Sequence, residues 1–256
     1  MVNRIIIFFV SLILVLALYN FFLNINKNTV SNTYPVKINN ISPAHPVSTS
    51  SKVISNIVSS TSTSNFLLKV PYISEAPENV WTGPWKNACE EASITMVDKY
   101  YKGETTMSIE EGSSFMEMLF NVEDKIYGSN ANSDSVRSNY LVNNYSSFKG
   151  TVVSDPTIDQ IKEQLREGHP VIAFHYGFDL KNKNIPFLAT GSSYHSTVVV
   201  GYDDSKNVFL VNDPGDEIDG EDHSYNYSLY MSSIHDYDYN SMKANGPARV
   251  IFTTKS

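Results

Sequence analysis

A single cysteine, Cys89, stands at the head of a helical pattern, and His195 and Asp213 lie downstream in positions suited to activate it. Together they are the residue types that thiol-based acyl transfer requires. The thiolate is the attacking species, so a nucleophilic cysteine needs a depressed pKa. Cys89 opens the stretch CEEASITMVDKYY, in which Ala92, Met96 and Tyr100 recur on one face at a helical period. Unsatisfied N–H groups and the dipole at a helix start favour a negative charge there. A nearby histidine able to become imidazolium would complete the activation. Glu90 and Glu91 suit a first helical turn but oppose a thiolate. A lone cysteine is also commonly a small buried hydrophobe. Against that stand its flanks, a Pro/Gly/Trp loop before it and a helix after it, where backbone amides can point at a substrate.

His195 precedes the β-branched run Thr197–Val200, which reads as a buried strand and would hold a general base rigidly. A second strand, VFLVN, leads into Asp213-Pro214-Gly215. Should the two pair as a hairpin through the DDSKN turn, Asp213 or Asn212 comes beside His195. A carboxylate there fixes the imidazole tautomer and stabilises the imidazolium. Asp-Pro-Gly is equally a common turn composition. His175, within the strand VIAFHYG, is the rival base, but that strand has no acid at its far end. His45 lies in a polar tract, His169 beside a helix-ending glycine, and His223 and His235 in polar stretches expected to be solvated. The acid-rich segment 213–222 lacks the regular ligand spacing of a calcium loop and reads as a solvated loop, so no metal is expected.

Helices are expected at Cys89–Tyr101, Ser108–Phe120, Ser133–Tyr145 and Pro156–Glu167. Strands are expected in FLLKVPYI from Phe66, and at Val171–Tyr176, Ser196–Tyr202, Val208–Asn212 and Ala248–Thr254. Helices first and strands afterwards indicate an α+β class.

Charge divides the 256-residue chain. Residues 1–65 hold no acid and four bases, Arg4, Lys27, Lys37 and Lys52, leaving 15 Lys/Arg against 27 acids in the remainder. So acidic a domain, without a basic cluster, excludes nucleic acid as a partner. Ile5–Leu23 is uncharged and, as a helix, about 28 Å long, close to the ~30 Å hydrocarbon core. No small-x-small cleavage site follows it, which favours an uncleaved anchor over a signal peptide. Arg4 before the segment places the N-terminus inside and the rest outside the cytoplasm. Residues 24–65, rich in Ser, Thr, Asn and Pro, read as a flexible linker, and residues 66–256 as the folded domain. An idle free thiol outside the cytoplasm is a liability, a further reason to regard Cys89 as functional. Nothing in the sequence specifies an oligomeric state.

The blocks VPYISEAP, ACEEASITMVDKYY, GHPVI, YHSTVVVGYDD and VFLVNDPG, in that order, resemble the papain-like cysteine peptidases related to the double-glycine leader peptidases, and more closely their stand-alone bacterial branch. The resemblance implies a papain-like fold, with the nucleophile opening the first long helix and the histidine beginning a central strand. It assigns Cys89 as nucleophile, His195 as base and Asp213 as the residue orienting the base, acting on a peptide or protein substrate without a cofactor. In that family a glutamine upstream of the cysteine usually helps to form the oxyanion hole. The matching position here is Glu75, whose ionised carboxylate would repel an oxyanion. Either Glu75 is protonated, or Asn87 or a backbone N–H serves instead, or activity is weakened. The rival readings are amide hydrolysis on cell-wall peptides and a silent domain that binds peptides or wall components.

Overall fold

The computed structural model describes residues 64–129, 132–185 and 193–256. The anchor expected over residues 5–23, and the linker as far as residue 63, lie outside them. Among the described residues no helix is long and apolar enough to cross a membrane.

Among the described residues six α-helices form: α1 (Cys89–Tyr101), α2 (Ile109–Tyr127), α3 (Ser135–Tyr145), α4 (Ile158–Arg166), and the short α5 (Gly177–Leu180) and α6 (Tyr227–Ser233). Their starts follow from local chemistry. Ser108 and Glu111 exchange hydrogen bonds in a capping box before α2, Thr157 and Gln160 do the same before α4, and Asp134 caps α3. Helix α2 runs seven residues past the expected Phe120, because NVEDKIY contains no breaker before Gly128 takes a left-handed φ of 73°.

Seven strands of the described residues make one antiparallel sheet: β1 (Asn65–Leu67), β2 (Phe148–Ser154), β3 (Val171–Tyr176), β4 (Tyr194–Asp203), β5 (Val208–Asn212), β6 (His223–Asn226) and β7 (Arg249–Lys255). The order is β2-β7-β3-β4-β5-β6, with β1 also on β4. Strands β3 and β4 are buried almost throughout, as their unbroken apolar runs require. Only the first residues of the expected Phe66–Ile73 strand join the sheet. Pro71 has no N–H to give to a ladder, and the chain leaves the edge after Leu68 N–H donates to Val200 O at 2.8 Å.

Strand β2 breaks the expected succession of helices and then strands. Its interior glycine weakens a strand pattern, yet it is required in place: a Cβ on Gly150 would collide with Asn139 Oδ1 and Ile251 Cγ2. The class is still α+β, since every pairing is antiparallel. Helix α1, buried from Cys89 through Asp98, packs on β4, with Ser196 Oγ donating to Ser93 Oγ at 3.2 Å. That contact fixes where the N-terminus of α1 meets the start of β4.

Candidate active site

Three chain segments converge at this junction. The Cys89 sulfur, a ring nitrogen of His195 and a carboxyl oxygen of Glu75 all lie within 4.8 Å of one another, and all three residues are buried. Cys89 arrives as the first residue of α1. Its N-cap, Ala88, provides no side-chain acceptor, so no side chain caps the first-turn N–H groups.

The β4–β5 hairpin brings the acid to the histidine. Val198 pairs with Asn212, the last residue of β5, so the residue that follows, Asp213, reaches the His195 end of β4. Asp213 Oδ1 and His195 Nε2 are 2.7 Å apart. Asn212, the alternative, turns away and donates from Nδ2 to Val70 O at 3.0 Å. Asp213 is fully buried and well supplied with donors: Gly215 N–H to Oδ1 at 3.0 Å, and the Tyr225 hydroxyl to Oδ2 at 2.5 Å. Burial works against its ionised form, but His195, Tyr225 and the Gly215 amide together hold the carboxyl below its ordinary range.

Behind it lies a second layer. Asn182 Nδ2 donates to the Tyr225 hydroxyl at 2.8 Å and to Asp216 Oδ2 at 2.9 Å. Asp216 also takes the Ile218 and Asp219 amides on Oδ1. The segment expected to be a solvated loop therefore has two fully buried carboxylates, Asp213 and Asp216. Its other acids, Glu217, Asp219, Glu221 and Asp222, are exposed. The loop closes tightly because Asp213 N–H donates to Gly220 O at 2.8 Å, and a Cβ at Gly220 would collide with Asp213 O, Asp216 O and Tyr72 Oη. Tyr72 donates to Asp213 O at 3.2 Å and Asp216 O at 2.9 Å, while Glu75 N–H donates to Pro214 O at 2.9 Å. The segment carrying Glu75 is thus clamped to the turn carrying Asp213.

The electrostatics correct one expectation. Burial, Glu90 and Glu75 push the Cys89 thiol well above its ordinary pKa, outweighing the helix start. The thiol donates to Glu90 Oε2 at 2.9 Å. Burial raises Glu90 to about 8, although its bond from Cys89 opposes the shift. Burial and the neighbouring Glu123 hold Glu91 well above the carboxylate range. These two first-turn acids are buried beside Cys89, with Glu123 of α2, where the sequence suggested ordinary N-terminal charges. Glu75 is 1% exposed and neither of its oxygens has a hydrogen-bond partner among the described residues. Burial, then Glu90 and Asp213, raise its carboxyl well above the usual range, with the Cys89 thiol opposing the shift.

His175, the rival base, is part of the core. Its ring bonds Ser233 Oγ at 2.9 Å and Thr197 Oγ1 at 3.0 Å, and stacks edge-on to Tyr230. Burial and the nearby His195 lower it to about 3, leaving it neutral. Asn87, the other side-chain donor considered, lines a separate cleft with Pro84, Phe120 and Asp124. His223 and His235, expected in solvated stretches, are partly buried; His223 belongs to β6. Tyr225, Tyr72, Asn182 and Gly220 have no chemical signal in the sequence. Each acts through a contact made only by folding.

The model of the Peptidase_C39 like family matches residues 67–246. A crystal structure of a Bacillus anthracis protein assigned as a C39-like peptidase is similar at a TM-score of 0.48 and 16% identity, covering 75% of this chain and 98% of that one. No curated protein matches the chain.

Proposed function

The chain belongs to the Peptidase_C39 like family, and from that membership we propose that it is a cysteine peptidase hydrolysing peptide bonds with Cys89, His195 and Asp213. The observation that carries this is the approach of the Cys89 sulfur to a His195 ring nitrogen within 4.8 Å while His195 Nε2 is held by Asp213 at 2.7 Å.

The resting thiol is protonated, so His195 acts as a general base at the moment of attack and not as half of a standing ion pair. Sulfur adds to the carbonyl carbon as its proton passes to His195. The oxyanion accepts hydrogen bonds from the Cys89 N–H at the helix start and from the protonated carboxyl of Glu75, which serves where an ionised carboxylate would repel. His195 gives its proton to the leaving amine. Water then loses a proton to the same ring and attacks the thioester, releasing the acid and restoring the thiol. Two residues from His195, Ser193 borders a cleft of about 510 Å³ whose other walls include Tyr176, Phe178 and His235, suited to an apolar substrate side chain.

We place this domain outside the cytoplasm, tethered through residues 5–23. Carbonate-resistant membrane association that disappears on deleting those residues tests the tether. Cleavage of a peptide mixture by the full chain, with an acyl-enzyme adduct on Cys89 seen by mass spectrometry, tests the chemistry. Loss of both in Cys89→Ala and His195→Ala is expected; cleavage surviving Cys89→Ala refutes it. A second reading is favoured by one observation, the 3% exposure of Cys89 with its thiol turned to Glu90. It is a silent domain that binds peptides or wall components, and it predicts binding without turnover in the parent chain.

A further inference from the structure

We infer that Glu75, Cys89 and His195 form a binding site for a thiophilic divalent cation, zinc(II) foremost. The three ligand atoms come from separate segments, the loop before α1, the start of α1 and the start of β4, and lie mutually within 4.8 Å. In a tetrahedral zinc site, bond lengths of about 2.0–2.3 Å set neighbouring ligand atoms roughly 3.4–3.6 Å apart. A contraction of roughly 1 Å therefore closes the site, within reach of side-chain rotation.

Two observations beyond proximity point to a cation. Both oxygens of Glu75 are buried without an aligned hydrogen-bond partner among the described residues, and the side chain that bears on them is the Cys89 thiol. Such a carboxyl is costly in a folded protein unless something occupies it part of the time. His195 is also held in the way metal-binding histidines are, with Nε2 on a buried carboxylate at 2.7 Å, which orients Nδ1 as the ligating atom. Sulfur, imidazole nitrogen and one carboxylate, with a fourth position for water, make a donor set that suits zinc. Binding releases the thiol and carboxyl protons to solvent, and the two resulting anions neutralise the dication. A cation held there engages the sulfur and the ring nitrogen together, so it excludes acyl transfer while bound. Glutamate at position 75 is decisive, since a neutral amide there would leave two strong ligands.

The test uses the full chain, metal-free, with zinc(II) in competition with a chromophoric chelator and cobalt(II) as a spectroscopic probe. One equivalent should bind, with a near-ultraviolet thiolate-to-cobalt band that disappears in Cys89→Ser. Asp213→Asn should weaken zinc binding by about 10–100-fold, as outer partners of metal-bound histidines do. Glu75→Gln should weaken it at least as much while melting as cooperatively as the parent chain. Equal affinity in Glu75→Gln, or cobalt binding without the thiolate band, overturns the proposal. So does binding that survives Cys89→Ser and is lost in His223→Ala, which places the ion beside Asp219 and Asp216. None of these readouts needs turnover, so failure of the peptidase reading leaves them interpretable.

Discussion

Replacing Tyr225 by phenylalanine removes one oxygen and leaves the ring that fills the same space. That oxygen donates to Asp213 Oδ2 at 2.5 Å and accepts from Asn182 Nδ2 at 2.8 Å. Asn182 keeps its bond to Asp216 at 2.9 Å, so the principal loss is one buried hydrogen bond to a carboxylate. Bonds to charged groups contribute about 1.5–3 kcal/mol, and at 2–4 °C per kcal/mol for a domain of this size Tm should fall by roughly 3–12 °C at pH 7. The pH dependence adds a second signature. Asp213 has a folded pKa below its unfolded value of about 3.9, so its stabilising contribution is complete above that pH and fades as pH falls through the folded value. Without the Tyr225 donor the folded pKa rises. The Tm gap between parent and variant should therefore be full at pH 7 and narrow below about pH 4. Thermal unfolding followed by circular dichroism from pH 7 to pH 3 measures both. An unchanged Tm at pH 7, or a gap that keeps its full size to pH 3, would refute the role given to Tyr225.

Further outcomes are expected. Iodoacetamide should alkylate Cys89 slowly at pH 7, with no inflection at or below the ordinary thiol value of about 8.5; rapid labelling at pH 6–7 would show a standing thiolate instead. Glu75→Ala should lower kcat by about 10²–10³, the usual consequence of losing an oxyanion donor. Because the raised Glu75 carboxyl loses its proton as pH increases, the parent's peptide-cleavage rate should decline on the alkaline side, and Glu75→Gln should flatten that decline; matching profiles would exclude Glu75 as the donor. His175, lowered from 6.5 to about 3 in the fold, contributes stability present above the unfolded value and lost as pH falls toward the folded one. At about 1.4 kcal/mol per pH unit this is several kcal/mol, so His175→Leu should melt with a shallower acid dependence than the parent chain. Equal slopes between pH 6.5 and pH 4 would contradict a buried neutral ring.

Much of the chain could be read without coordinates. The span of α1 follows from the period of Ala92, Met96 and Tyr100, and β3 and β5 from compact apolar runs, because periodicity and β-branching are local properties. The order and types of Cys89, His195 and Asp213 were equally visible, as was Glu75 as a departure. Their protonation was not. The sequence suggested a thiol activated by a helix start, whereas burial of Cys89, Glu75, Glu90 and Glu91 in one small volume reverses that shift. Desolvation depends on how many atoms from distant segments exclude water, a quantity that no local pattern encodes. For the same reason Tyr225 and the buried state of Asp216 emerged only when β6 docked on β5 and the 213–220 turn closed over Tyr72. Residue identity determined which chemistry is available. Tertiary packing decided the direction in which each group's pKa moves and the hydrogen-bond partners it meets.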